Sequence, residues 1–245
     1  MKTLIFATGA ALMTVLACAA PSTAADPLVL NDVAWKAAPA AGKSDPRLRV
    51  SRGKSNSDVE LDGSRRELGP VEAVLRSARG PVSFTIVHAA GTLACSGELK
   101  APYEGSGHCR FAADPDFEAG LASRGLAPED RDDLLAMLLV DATIELADGL
   151  TAEGVKPKDD GDLIAAAALK VTPAYVRDLK SEAMALTTIG DAIACRALGV
   201  DGAYVRGLAS AGYRGLSADD VVGMKALGVS PEYAAAMNRA RGSGQ

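Results

Sequence analysis

The sequence predicts an α+β protein, a small antiparallel disulfide-linked β-sheet followed by an all-α array of short helical-hairpin repeats. Three observations carry that prediction. Residues 82–111 alternate apolar and polar side chains between turn signals, the period of half-buried strands. Two cysteines, Cys95 and Cys109, fall where neighbouring strands would meet. From Asp114 onward the apolar spacing becomes helical, and one phrase recurs from Val171 to Val200 to Val229.

Residues 1–25 read as an export signal, with Lys2 as the basic start, "TLIFATGAALMTVLA" as the apolar core and small residues in "PSTAA" for cleavage. That run falls short of the roughly 20 residues a membrane span needs. No transmembrane segment is expected in the mature chain. Val15-Leu16-Ala17-Cys18 also resembles a lipobox, which would make Cys18 the lipidated first residue. Leu16 is an unusual occupant of its place there, so ordinary cleavage near Ala24 or Ala25 is the expectation and a lipid anchor the alternative.

Residues 26–46, rich in Ala, Pro and polar residues, read as a flexible N-terminal segment. A β-sheet module follows over 47–112. "RLRVSRGK" at 47–54 reads as a solvated strand, and 56–81 as a loop with a short helix. Three antiparallel strands then run from Val82 to Phe111, with turn signals at Ala90-Gly91 and between Lys100 and Gly107.

The register can be worked from the cysteines. If Cys95 faces Cys109, Leu93 faces Phe111 and Gly97 faces Gly107; a turn at Ala90-Gly91 puts Ile86 beside Cys95 and Phe84 beside Gly97. One face then collects Phe84, Ile86, Leu93, Cys95, Cys109 and Phe111, while Thr85, Thr92, Ser96, Glu98 and Arg110 take the other. In an oxidising compartment Cys95 and Cys109 should bridge, leaving Cys195 unpaired after processing.

Residues 113–241 form the helical region. Asp114 can cap a helix that begins at Pro115 and stops at Gly125. A longer helix is expected from about Pro128 to Glu153, with a stripe from Leu134 to Leu150. Asp159, Thr188 and Ser217 then stand three residues before Asp162, Asp191 and Asp220, a capping-box spacing. Thr172, Asp201 and Ser230 cap second helices, so each unit is two short helices. Helices of about ten residues are marginal alone and must bury their apolar faces against neighbours. Tyr175, Tyr204 and Tyr233 are therefore read as packing residues, the aligned aspartates as caps and Cys195 as a buried spacer.

Composition narrows the function. A 48% hydrophobic content is enough for a folded core, and only 4% aromatic content argues against a deep ligand cleft. Cleavage after Ala25 removes one lysine and no acid, leaving 25 basic against 31 acidic residues. Nucleic acid is excluded as a partner because phosphate binding wants a concentrated basic face. A metal site from His88, Cys95, His108 and Cys109 matches no familiar zinc spacing, and alternation sends His108 away from Cys109. Neither a metal nor another cofactor is expected. Arg177 and Arg206 align and face solvent; with Tyr213 and Arg214 they are the candidate partner-binding residues.

The combination of "SARGPVSFTIVHAAGTLACSGEL", "GSGHCRFAADPDFEAGLASRGL", "VTPAYVRDL" and "SAGYRGLSADDVVGMKALGVSPEYAAAM" resembles uncharacterised bacterial envelope proteins. It is similar to the extracytoplasmic tails of some membrane metallopeptidase sensors of the BlaR type, over roughly residues 47–240. The unit at 171–199 departs from the phrase, with Met184-Ala185 where the later unit has Tyr213-Arg214. There is also no His-Glu-x-x-His and no membrane span, so peptidase activity does not carry over.

The resemblance implies an exported accessory or sensing module. The expected function is a non-enzymatic protein-interaction or sensing module of the bacterial envelope, periplasmic or secreted, whose partner is a protein such as a membrane sensor or peptidase. The alternative is an envelope hydrolase with an atypical site at His88, His108 and Glu104. Histidine and carboxylate supply acid-base chemistry there, but the chain has two histidines and no nucleophile elbow.

Overall fold

The structure is a computed structural model describing residues 28–53, 55–181 and 184–242. The expected signal segment and Cys18 lie outside the described residues. The protein is α+β, with a six-stranded antiparallel sheet, a disulfide and, among the described residues, ten α-helices.

The strands are β1 (Val29–Ala38), β2 (Arg47–Arg52), β3 (Ser55–Glu60), β4 (Gly80–His88), β5 (Gly91–Ala101) and β6 (Glu104–Ala113), ordered β3-β2-β1-β6-β5-β4. Two three-stranded meanders thus join through β1 and β6. This corrects the reading of 26–46 as flexible, because β1 is a central strand. Its signal was the alternation of Leu30, Val33, Trp35 and Ala37, all buried, interrupted by a register shift between Leu30 and Val33. The expected strand at 47–54 is β2, and part of the expected loop after it is β3. A 3-10 turn, Arg66–Leu68, leads into the short helix α1 (Gly69–Leu75).

Cys95 pairs with Cys109, Leu93 with Phe111 and Gly97 with Gly107, as the cysteine arithmetic requires. The disulfide joins the central β5–β6 pair with its α-carbons 4.0 Å apart. The β4–β5 register differs from expectation by two residues. The turn is Ala89-Ala90, so His88 faces Gly91, Ile86 faces Leu93 and Phe84 faces Cys95. A shift of two keeps every side chain on its face, so the buried set is unchanged. Gly91 lies in the strand, paired with His88 and Ala113, and the position takes glycine because a Cβ there would come 2.2 Å from the Ala112 carbonyl oxygen.

Gly97 and Gly107 have a related purpose. A Cβ on either would come 2.6 Å from the Trp35 indole, which lies across this pair. The indole Nε1 donates to the Ser96 carbonyl at 3.0 Å and the ring meets Phe84 edge-on at 5.2 Å. Trp35 is the largest fully buried side chain described and the centre of the sheet's core.

The remaining helices are α2 (Pro115–Ala122), α3 (Asp133–Val140), α4 (Ile144–Ala152), α5 (Asp160–Ala168), α6 (Pro173–Lys180), α7 (Ile189–Ala197), α8 (Gly202–Ser210), α9 (Ala218–Ala226) and α10 (Pro231–Gly242). Asp114 caps α2 by accepting from the Phe117 N–H at 3.0 Å. Thr143, Thr172, Asp201 and Ser230 each accept from the N–H three residues on, at 3.1, 3.1, 2.8 and 3.2 Å. Asp159, Thr188 and Ser217 do the same for α5, α7 and α9, with reciprocal capping boxes at Thr188–Asp191 and Ser217–Asp220.

The long helix expected over 128–153 is two helices instead. Asp141 ends α3 in the left-handed region at φ 57, and Thr143 caps α4. The stops at Lys170, Gly199 and Gly228 are also left-handed and follow at the same 29-residue spacing. Asp tolerates this conformation through its short polar side chain, but does not announce it as glycine does.

Helices α2, α4, α6, α8 and α10 touch in series, as do α3, α5, α7 and α9. The sheet face bearing Trp35 shares one core with α1, α2 and α3, while α5 to α10 surround a second. Leu146 on α4 packs against both cores. Among the described residues no helix is long and apolar enough to cross a membrane.

Candidate functional site

The residues proposed for hydrolysis do not converge. His88 continues the face of Phe84 and Ile86, its side chain only 5% exposed beneath the helices. His108 and Glu104 stand exposed on the other face of the sheet. The metal set fails for the same reason, and its two cysteines are consumed by the disulfide.

His88 instead meets two carboxylates from elsewhere in the chain. Its Nδ1 lies 2.6 Å from the Leu138 carbonyl oxygen, at the C-terminal turn of α3, and 3.7 Å from Asp141 Oδ1. Glu67, Asp141 and His88 each place one potential ligand atom within 4.8 Å of the other two. Glu67 is already held by Arg65 Nε at 2.7 Å, and Arg65 Nη1 donates to the Leu139 carbonyl at 2.8 Å. Arg65 Nη2 is buried with no hydrogen-bond partner. Burial raises the Glu67 carboxyl, but the Arg65 hydrogen bond and its own backbone outweigh this and hold it below the ordinary value.

A cation at this junction would have to displace Arg65 from Glu67 and compete with Leu138 for His88. The arrangement is thus a polar clamp between sheet and helices. Sequence reading missed it because its members come from a turn, a strand end and a helix stop that only folding brings together.

The four candidate partner-binding residues lie in the helical region. Arg177 is exposed but paired with Glu153, tying α6 to α4, and Arg206 pairs with Asp178 at 3.2 Å, tying α8 to α6. Arg124 and Asp148 similarly join α2 to α4 at 2.6 Å. Exposed pairs contribute about 0–1 kcal/mol each, so these set orientation more than stability. Tyr213 is half-buried against the second core, and Arg214 is exposed.

The recurring tyrosines have a definite job. Tyr175 Oη donates to the Val200 carbonyl at 2.8 Å, and Tyr204 Oη to the Val229 carbonyl at 2.7 Å. Arg196 stands 5.1 Å from the Tyr175 ring centroid and Lys225 4.3 Å from that of Tyr204, both at cation-π range. Arg196 Nε also donates to the Leu169 carbonyl at 3.0 Å. The Val171 and Val200 phrases thereby each fasten one helical pair to the turn of the next. Burial pushes both phenols up, so they remain hydrogen-bond donors at neutral pH.

Cys195 is fully buried against the second core, and burial pushes its thiol up to about 11. It is a packing residue and not a thiolate nucleophile. Comparison of the chain with protein-family models, with curated proteins and with solved structures returned no match.

Proposed function

We propose that this chain is an exported, non-enzymatic protein-interaction or sensing module of the bacterial cell envelope. On this reading residues 113–241 form an array of helical hairpins, begun by α2 and anchored to the sheet, that presents an extended face to a protein partner. The observation that carries it is the recurrence of one contact set at 29 residues, Tyr175 to Val200 and Tyr204 to Val229, each with a cation beside the ring. Such arrays bind through broad surfaces and need no deep pocket. The formed disulfide supports an oxidising compartment. The similarity to extracytoplasmic sensor tails supports a membrane sensor or peptidase as the partner.

The test places a photo-crosslinking residue at Arg214 or Tyr213 on the array, and at Arg110 on the sheet, in cells carrying the native envelope. One saturable adduct from the array positions and none from Arg110 is expected. Equal labelling everywhere, or none above background, overturns the reading. The hydrolase alternative would now have to run through Glu67, His88 and Asp141, and turnover of peptide, ester or glycan substrates that is lost in His88→Ala would establish it.

A further inference from the structure

Among the described residues the contacts that join successive helical pairs stop at α10, and the face they would continue on carries exposed apolar side chains. Tyr204 is 7% exposed beneath the turn before α10, whereas Tyr233, its counterpart 29 residues on, is 57% exposed. Leu179 and Leu208 are fully buried, but Met237 at the same place is 43% exposed. Val171 and Val200 are buried and Val229 is only half-buried, while Leu227 reaches 84% exposure against 41% for Leu198. That face carries the apolar half of an internal interface.

We propose, building on the interaction-module reading, that the outer face of α9 and α10 docks a helical hairpin of another protein whose leading side copies the one α9 and α10 present to α8. The internal interface specifies that partner's chemistry. Its first helix ends in a basic residue that stands over the Tyr233 ring, as Lys225 does over Tyr204. A Leu-Gly-Val turn and a Ser or Asp cap follow, as in Lys225-Ala-Leu-Gly-Val-Ser230 and Arg196-Ala-Leu-Gly-Val-Asp201. The valine carbonyl of that turn accepts from the Tyr233 hydroxyl, as the Val229 carbonyl does from Tyr204.

A second copy of the chain does not supply this hairpin. Its phrases at 196–201 and 225–230 are already engaged with Tyr175 and Tyr204, and at the other end of the two helix series α3 is covered by β3, β5 and β6. The docking site is therefore open in one direction and heterologous, matched to a different chain.

The test titrates the mature chain, residues 26–245, with a peptide of residues 186–242 bearing Leu227→Asp and Tyr233→Ala, which block its own trailing end. Circular dichroism first establishes that the peptide is helical. Saturable binding that weakens tenfold or more when the full chain carries Tyr233→Ala or Leu227→Asp is expected; these exposed positions leave folding intact. Undiminished binding to those variants, or none by a helical peptide, overturns the proposal. So does concentration-dependent self-association of the chain that Leu227→Asp abolishes, or equal retention of wild-type and Leu227→Asp chains on anionic lipid vesicles.

Should the peptide be unfolded alone, a full chain with residues 200–228 duplicated after Gly228 decides the matter. A raised thermal midpoint supports the docking geometry, and an unchanged or lowered one refutes it. Crosslinking at Arg214 or Tyr213 with no end-face binding would sink this inference alone and leave the interaction module standing.

Discussion

Replacing each recurring tyrosine by phenylalanine separates an interlocking role from simple packing. The ring stays in all three variants and only the hydroxyl is lost. Tyr175→Phe leaves the carbonyl of the fully buried Val200 without its 2.8 Å donor. An unsatisfied buried acceptor costs about 1–3 kcal/mol. Tyr204→Phe removes a 2.7 Å bond to Val229, whose half-exposed turn admits water, so the cost drops to about 0.5–1.5 kcal/mol. Tyr233 makes no hydroxyl hydrogen bond among the described residues, and its replacement should be neutral within about 0.5 kcal/mol. For a chain of this size each kcal/mol moves the thermal midpoint by about 2–4 °C. Differential scanning calorimetry should therefore rank the losses Tyr175, then Tyr204, then Tyr233, with amide exchange accelerated first in α6 to α10. If Tyr233→Phe costs as much as Tyr204→Phe, or the first two variants are silent, the hydroxyls do not fasten neighbouring helices.

Three further outcomes follow from the geometry. Cys95→Ser with Cys109→Ser should lower stability by about 3 kcal/mol through the loss of a loop closed over 14 residues, and thiol labelling of a denatured wild-type chain of residues 26–245 should find Cys195 alone. Gly107→Ala should destabilise by about 1–3 kcal/mol and shift the Trp35 fluorescence, because its Cβ would lie 2.0 Å from the Ser96 carbonyl oxygen; Gly223→Ala, with open space around it in α9, should instead stabilise by about 0.5–1 kcal/mol. Asp191 and Asp220 both have lowered carboxyl values: at Asp191 burial opposes but the Thr188 and Thr187 N–H groups prevail, and at Asp220 the Ser217 hydroxyl and N–H act together. A lowered folded value contributes stability that is present above the unfolded value of about 3.9 and lost as pH falls through the folded one, so helicity should hold to about pH 5 and decline below about pH 4, less steeply in Asp191→Asn with Asp220→Asn.

The sequence by itself determined what depends on near neighbours. Alternation set the buried face of β4 to β6, the cysteine spacing set the β5–β6 register, and side-chain oxygens three residues ahead of their N–H partners set the starts of α2 and of α5 to α10. Those interactions close within one turn or one hairpin, so their signals sit side by side in the chain. The tertiary structure decided what needed distant partners. β1 is a central strand only because β6, some 70 residues later, offers a free edge and the Gly97–Gly107 pair leaves room for Trp35. The split at Asp141 takes a left-handed residue whose side chain reaches toward His88 across the sheet–helix junction. The tyrosines' purpose appeared only when the next turn's carbonyl stood within hydrogen-bond range, since a hydroxyl's acceptor is chosen by packing and leaves no mark of its own on the sequence.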